Sequence, residues 1–316
     1  MGMSPEMIGV IPSFVPITLR DRIRVAPQYK LLACSMHKHM SSMISPAMCY
    51  LKDEKHYLER YGSKIAGNPD ACGNEDWFHD IKNAVGKEAV QDKNWKFVSF
   101  SRHPIERFIS GYSNICIDNR KVEGLQTCYD CVDDLECFVD NLYRDIMGYA
   151  NGQRIQNYEV AAHFYPQNYL CNYNLYYKRY NIIKYTSDRS QLPRILSEFN
   201  DVLKSASVPS SSRQFLISQF NHTSTRHTTV NSSSRKSIES ELYNSPHLLK
   251  KLYQMFYYDF VLFDYDIPED YQWDGPTVVE QTIGEVAKNL FIVARKKIRH
   301  HKFSQYFNFM ENNISP

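Results

Sequence analysis

Two arginines and a serine lie where a predicted strand runs into a predicted helix. Residues 96–101 form an apolar run with the length of a buried strand, and Pro104 suits the first position of a helix. One face of that helix is apolar, through Ile105, Phe108, Ile109 and Tyr112. Free N–H groups at a helix start and a nearby arginine bind phosphate well, so Arg102, Arg107 and Ser110 predict an anion site. The alternative is an ordinary βα unit with surface arginines.

A second phosphate-binding layout precedes it. Residues 29–35 (YKLLACS) are predicted to be the first core strand, and a helix is predicted to follow through residues 44–51. The loop between them carries Lys38, His39, Ser41 and Ser42, which suits phosphate binding. No G-x-x-x-x-G-K string is present, and no glycine occurs between positions 9 and 62, which argues against an ATPase or GTPase. The alternative is a solvated lysine in an ordinary loop.

The string R-H-P-I-E-R-F-I-S-G-Y at residues 102–112 resembles the 3′-phosphate-binding motif of Golgi carbohydrate sulfotransferases. The resemblance implies that Arg102 and Ser110 hold the 3′-phosphate of PAPS, which is 3′-phosphoadenosine-5′-phosphosulfate. His103 stands where that family usually has an acidic residue. We expect phosphate binding to survive this difference.

The earlier loop resembles the 5′-phosphosulfate loop of the same family, although the family's glycine is missing. On that match Lys38 faces the 5′-phosphosulfate with His39 beside it, and Ser41 and Ser42 donate to its oxygens. Lys38 is therefore expected to be both a binding and a catalytic residue.

A histidine further along the chain is the preferred catalytic base. His163 and Pro166 resemble the H-x-x-P segment of these sulfotransferases. Sulfuryl transfer needs a base for the acceptor hydroxyl, and a neutral imidazole can act as one near neutral pH. The alternative role for His163 is structural, and His37, His39 and Glu106 are the other candidates for the base.

The aromatic segment at residues 258–265 resembles the Y-x-x-D-[FY]-x-x-F-x-Y closing segment of the family. We interpret it as a packing element, with Asp259 at the acidic position. The resemblance covers residues 29–266.

Six of the eight cysteines are predicted to form disulfides in an oxidising lumen. Cys128 and Cys131 form a lone C-x-x-C, and no second metal-binding pair accompanies it. Six cysteines allow 15 complete pairings, and the sequence does not choose among them: Cys72, Cys116, Cys128, Cys131, Cys137 and Cys171. Cys34 and Cys49 are interpreted as buried thiols. Three N-x-S/T triplets, which begin at Asn221, Asn231 and Asn313, agree with a lumenal location.

Composition describes an ordinary globular protein. The formal charge of +2 and the 23% charged residues do not indicate a nucleic-acid-binding protein. We expect an N-terminal segment at 1–28 with no clear anchor, a sulfotransferase domain at 29–266, and a basic helical tail at 267–316. The Ser/Thr-rich residues 205–240 are predicted to be a loop or lid, whose densest donor cluster is residues 225–228.

These patterns predict an α/β fold with a central parallel sheet flanked by helices, similar to P-loop-like PAPS-dependent sulfotransferases. The resemblance implies sulfuryl transfer from PAPS, without a metal, to a glycan, and a glycosaminoglycan of the chondroitin or dermatan type is the expected acceptor. It also implies a Golgi lumenal location, as a type II membrane protein whose anchor is missing from the sequence or as a secreted protein. The alternatives are another nucleotide-dependent transferase, such as a kinase, and a non-catalytic glycan- or nucleotide-binding relative.

Overall fold

Four strands form one sheet in the order β1-β2-β3-β4. A computed structural model describes residues 9–17, 23–63, 65, 78–119, 124–222 and 232–267. The strands are β1 (Ile23–Ala26), β2 (Leu31–Cys34), β3 (Lys96–Arg102) and β4 (Tyr180–Tyr185). β2, β3 and β4 are parallel, with Leu31 beside Lys96 and Phe97 beside Tyr180. The predicted parallel sheet is confirmed, and an unpredicted strand, β1, adds an antiparallel edge.

Helices cover both faces of the sheet within the described residues. They are α1 (Ser41–Lys52), α2 (Glu54–Tyr61), α3 (Ile81–Val85), α4 (Lys87–Gln91), α5 (Pro104–Tyr112), α6 (Leu135–Ala150), α7 (Tyr158–Phe164), α8 (Tyr173–Tyr176), α9 (Leu192–Ser205), α10 (Ser210–His222), α11 (Ser233–Tyr243) and α12 (Pro246–Leu262). A π-helical segment, Ser113–Asp118, continues α5, and single 3₁₀ turns span Pro27–Tyr29, Leu125–Cys128, Gln167–Tyr169, Tyr177–Arg179 and Arg189–Gln191. No helix in the described ranges is long and apolar enough to cross a membrane.

The sheet separates two hydrophobic cores because successive side chains of a strand point to opposite faces. Phe97 packs into one core together with α5, α6, α7 and α12. Val98 and Phe100 pack into the other core with α1, α9 and α10. The described residues 9–17 join the first core, since Ile11 and Phe14 are buried in it. The domain boundaries at 28 and 266 stay predictions, and the basic tail lies outside the described residues.

The prediction of a loop at residues 205–240 was wrong. α10 and α11 occupy most of this stretch, while residues 225–228 lie outside the described part of the chain. α10 buries Leu216 and Phe220, so packing stabilises a helix in spite of the Ser-rich composition. At the start of α11 the Ser232 hydroxyl accepts from the Arg235 N–H at 3.2 Å. This serine is a helix cap, which is a common role for the residue type.

The disulfides correct one further expectation. Cys34 pairs with Cys171, and Cys49 is also disulfide-bonded, so neither residue is a buried thiol. Cys116 pairs with Cys128 and Cys131 with Cys137, which confirms the predicted disulfide use. The two cysteines of the C-x-x-C string therefore belong to different bridges. The Cys34–Cys171 bridge ties the end of β2 to the segment that follows the H-x-x-P residues.

Candidate phosphosulfate site

The carboxyl ends of the three parallel strands bring the predicted site residues to one edge of the sheet. The Lys38 loop follows β2, Arg102 ends β3, and Ser187 lies just beyond β4. In open α/β sheets this edge is where ligands bind. The helices that follow β2 and β3 begin there as well, so their first N–H groups have no partner within the helix.

Arg102 connects all three strand ends. Its side chain is buried, with Nη1 donating to the Lys38 carbonyl at 3.1 Å and Nη2 donating to the Ser187 hydroxyl. The guanidinium carbon lies 5.4 Å from the ring centre of Tyr185, and Nε lies 3.6 Å from a carboxylate oxygen of Glu106. Burial lowers the pKa of Arg102. Arginine side chains nevertheless stay protonated in proteins. The structure thus brings together Arg102 and Lys38, which are 64 residues apart.

Lys38 lies in a loop whose backbone is unusual. Lys38 and Met40 have φ angles of +68° and +58°, in the left-handed region that glycine normally occupies. Each such residue costs on the order of 1–2 kcal/mol. The family glycine that this chain lacks is therefore not required for a left-handed turn here. The Lys38 ammonium donates to the amide oxygen of Asn114, in the π-helical segment after α5.

The three predicted serines stand at helix positions that suit phosphate oxygens. Ser41 and Ser42 open α1, and their side chains are partly exposed. Ser110 lies in α5 and is 6% exposed. None of the three hydroxyls has a hydrogen-bond partner among the described residues, so each can donate to a ligand. Their assignment to PAPS stays a prediction.

His39 points into the protein interior. Its side chain is 1% exposed, with Nδ1 at 2.6 Å from the His37 carbonyl and Nε2 at 2.6 Å from Oε1 of Gln167. Burial, followed by the charge of Arg107, lowers the pKa of His39 to about 3. The imidazole is therefore neutral at physiological pH, so only one of its two ring nitrogens donates a hydrogen bond to the oxygen that it faces. Its role in PAPS binding stays a prediction, and this geometry favours a positioning role.

His163, the preferred base, lies against the Lys38 loop. Its ring centre is 4.1 Å from that of His37, and Nδ1 lies 2.8 Å from the Glu159 carbonyl. A carbonyl can only accept, so Nδ1 carries a proton and Nε2 has the lone pair of the neutral tautomer. This tautomer suits a general base. Glu106, another candidate for the base, is directed towards Arg102 instead. His37, a third candidate, packs its ring against that of His163.

A buried hydrogen-bond network, which we call the Gln167 clamp, holds the backbone of Arg102 through Gln167, Asn168 and Asp259. The sequence did not reveal it. The Gln167 side chain accepts from the Arg102 N–H at 3.0 Å and donates to the Arg102 carbonyl at 2.8 Å. The backbone N–H groups of Gln167 and Asn168 donate to the Asp259 carboxylate at 2.7 and 2.9 Å. Arg107 donates to the carbonyls of Tyr165 and, more weakly, Ala162. The H-x-x-P segment is thus joined to β3, α5 and α12, and Arg107 has a structural position rather than an open phosphate contact.

The sequence pointed to the Gln167 clamp only indirectly, because its residues lie next to or within segments that resemble the sulfotransferase family. Gln167 follows Pro166 directly, and Asp259 belongs to the closing segment that was interpreted as packing. Its neighbours Tyr258, Phe260 and Phe263 are buried, as expected of packing residues. Among the described side chains, no group of three or more His, Cys, Asp or Glu residues could hold a metal ion.

Comparison with known proteins shows which proteins this chain resembles. The chain matches the model of the sulfotransferase family over residues 21–266. It is 30% identical to the uncharacterized Caenorhabditis elegans protein C18B2.2, over 79% of this chain and 70% of the relative. It is 27% identical to carbohydrate sulfotransferase chst-1 of the same organism, over 82% and 79% of the two chains. It is also 26% identical to the putative sulfotransferase vep-2 from that worm, over 66% and 65%. No solved structure matches the chain significantly.

Proposed function

Because the chain belongs to the sulfotransferase family, we propose that it transfers a sulfuryl group from PAPS to a hydroxyl group of a glycan. The observation that carries the proposal is the junction of the two predicted phosphate sites, where Arg102 donates to the carbonyl of Lys38. PAPS carries two separate anionic groups, and this junction offers two helix starts with their own cations. The similarity to a protein named carbohydrate sulfotransferase supports the glycan acceptor.

In this scheme each of the two sites binds one anionic group of PAPS. Arg102, which precedes the start of α5, and Ser110, nearly two turns into that helix, hold the 3′-phosphate. Ser41 and Ser42 hold the 5′-phosphosulfate at the start of α1. An arginine can offer two parallel donors to a phosphate, which also gives the contact directionality. The Gln167 clamp holds the backbone of Arg102 in place, so the register of the nucleotide is set by a buried part of the fold.

The transfer is an in-line displacement at sulfur. The acceptor hydroxyl oxygen forms a bond to sulfur while the bond between sulfur and the bridging phosphate oxygen breaks, which releases 3′,5′-ADP. Nε2 of His163 takes the hydroxyl proton, and the Lys38 ammonium stabilises the charge that develops on the bridging oxygen. Positioning and charge stabilisation do most of the work in such a reaction, as in phosphoryl transfer.

The acceptor and compartment form part of the same proposal. A glycosaminoglycan of the chondroitin or dermatan type is suggested by the family resemblance, and a Golgi lumenal or secreted location with it. The disulfides among the described residues support an oxidising compartment, because such bonds are rare in the cytosol. Sulfation assays with desulfated chondroitin, dermatan and heparan chains would identify the acceptor.

Calorimetry with 3′,5′-ADP, 5′-AMP and ATP tests the nucleotide site. We expect a clear preference for 3′,5′-ADP, and a loss of about 10- to 100-fold in Arg102→Ala, since hydrogen bonds to charged groups contribute roughly 1.5–3 kcal/mol. Arg144→Ala, at an exposed arginine of α6, is the matched control and should bind normally. Oxidised, folded wild-type protein that binds none of the three nucleotides would refute the proposal.

Lys38→Ala tests the catalytic step. We expect kcat to fall much more than the affinity for 3′,5′-ADP, because a charge on the bridging oxygen develops only in the transition state. Steady-state rates with saturating PAPS, together with calorimetry, separate the two effects. Equal losses in kcat and affinity would show that Lys38 contributes to binding alone. Nucleotide binding without turnover by the wild type would favour the non-catalytic alternative.

A further inference from the structure

Arg235, on α11, is a buried cation that the scheme above does not use. The residue is 7% exposed, and its Nε donates to the Glu239 carboxylate at 2.7 Å. Its Nη1 is buried and has no hydrogen-bond acceptor among the described residues. A buried N–H group without a partner is costly, roughly 1–3 kcal/mol for an ordinary donor and more for a charged one. An orphaned donor of this kind deserves an explanation, and an absent anionic ligand provides one.

The helix that carries Arg235 packs on the elements of the proposed 3′-phosphate site. α11 contacts both α5 and the π-helical segment, and the hydroxyls of Ser113 and Ser234 lie 3.1 Å apart. Glu106 and Ser110 are four residues apart in α5 and therefore share one of its faces. Arg235, the residue after Ser234, therefore lies on a helix that packs directly against α5.

Arg235 and Arg102 are also electrostatic neighbours. Burial is the main cause of the lowered pKa of Arg102; Tyr185 and Glu106 oppose the shift, and the positive charge of Arg235 adds to it. Each arginine has one carboxylate close by, Glu106 for Arg102 and Glu239 for Arg235, and both carboxylates are about one-third exposed. The Glu106 contact, at 3.6 Å, leaves Nε of Arg102 and Oε2 of Glu106 without a hydrogen bond among the described atoms.

One buried guanidinium group lies before the start of α5 and the other on the helix that packs against α5, and together they suit an anion of more than one charge. A buried charge is unfavourable unless it is paired and hydrogen-bonded. A phosphate monoester carries close to two negative charges at neutral pH and offers three acceptor oxygens, enough for Arg102, Ser110 and a further donor. A sulfate ester carries one charge, so a phosphate matches the pair of arginines better.

We infer that Arg235 is a second arginine ligand of the 3′-phosphate of PAPS and helps the protein select nucleotides that carry that phosphate. This inference rests on the proposed function. Glu239 then holds the guanidinium of Arg235 in place, while the unpaired Nη1 donates a hydrogen bond to a phosphate oxygen.

Calorimetric binding of 3′,5′-ADP and 5′-AMP to Arg235→Ala tests the inference. We expect the affinity for 3′,5′-ADP to fall about 10- to 100-fold and the affinity for 5′-AMP to change less than twofold. Lys236→Ala removes an exposed charge from the same helix and should change neither affinity by more than about twofold. Arg235→Lys keeps the charge but loses the forked donor, so an intermediate loss for 3′,5′-ADP is expected.

Glu239→Gln distinguishes a ligand from a structural residue, because it removes the ion pair and leaves the guanidinium. If Arg235 binds the phosphate, Glu239→Gln loses less affinity for 3′,5′-ADP than Arg235→Ala does, because the guanidinium is still present, and its affinity for 5′-AMP changes less than about twofold. If Arg235 only stabilises α11, Glu239→Gln and Arg235→Ala lose affinity alike for both nucleotides, and the inference is overturned.

The controls also separate this inference from the proposed function. A wild-type protein that binds 3′,5′-ADP equally well as Arg235→Ala overturns the role of Arg235 and leaves the sulfotransferase proposal standing. A wild-type protein that binds no nucleotide overturns both. If Arg235→Ala does not fold, Arg235→Lys supplies the test through the shift in unfolding temperature caused by 3′,5′-ADP. A shift equal to that of the wild type then refutes the inference.

Discussion

Replacing Asp259 by Asn should destabilise the protein strongly, although the change removes no atom from the core. The Asp259 side chain is fully buried and accepts three hydrogen bonds, from the backbone N–H groups of Gln167 and Asn168 and from the Asn168 amide at 2.7 Å. All three partners are donors, so the group is required as a carboxylate. Burial raises its pKa, while these donors and Arg107 oppose the shift.

The magnitude follows from the hydrogen bonds. Asn keeps one acceptor oxygen, which can serve Asn168, but its NH₂ group must then face the N–H of Gln167. One charge-assisted bond, contributing roughly 1.5–3 kcal/mol, is lost and the N–H group is left unpaired in the interior. We therefore expect a loss of about 2–4 kcal/mol, a large part of the ~5–15 kcal/mol by which proteins of this kind are stable.

Urea unfolding at pH 7, followed by circular dichroism, measures the loss. Asp264→Asn is the matched control, because Asp264 lies five residues on, is exposed, and pairs with the partly exposed Lys184. Its free energy of unfolding should stay within about 0.5 kcal/mol of the wild type. An Asp259→Asn variant that also stays within that range would refute the claim that the carboxylate organises the Gln167 clamp.

Three further substitutions test how residues around the candidate site contribute to the stability of the fold. Burial lowers the pKa of His39 to about 3, so the unfolded chain takes up a proton near pH 6.5 that the folded protein excludes. Stability should be intact above pH 6.5 and fall as the pH decreases towards 3, by up to about 1.4 kcal/mol per pH unit, and His39→Asn should reduce that slope in urea titrations. Replacing both Cys34 and Cys171 by Ala should cost roughly 2–5 kcal/mol, because the bridge joins residues 137 positions apart; unchanged thermal unfolding would contradict this. Gly111→Ala would place a Cβ 2.7 Å from the buried Phe164 ring, so we expect a loss of about 1–3 kcal/mol in urea unfolding.

Local patterns were sufficient for the central βα unit. The strand at 96–102 and the helix from Pro104 lie where the apolar run and the proline predicted them. The same holds for β2, the Lys38 loop and α1. In each case neighbouring residues carry the signal, because an apolar run favours a buried element and a proline fixes the backbone angle at its own position.

Composition misled where burial mattered more. The serines of residues 205–240 suggested a loop, but α10 and α11 form because their few apolar residues reach a core. Likewise Cys34 and Cys49 sit in the predicted elements but are oxidised, which depends on where distant cysteines lie. β1 was not predicted, since a four-residue edge strand has too little periodic signal to recognise.

Local patterns of residues are enough to predict two phosphate-binding layouts, each a strand, a turn and a helix with its own cation and hydroxyls. How the two layouts meet is visible only in the folded protein, where Arg102 donates to the Lys38 carbonyl, His163 lies against His37, and Gln167 bonds the backbone of Arg102. These contacts join residues 64 to 126 positions apart along the chain. Their geometry depends on the parallel register of β2, β3 and β4 and on burial, neither of which a local pattern contains.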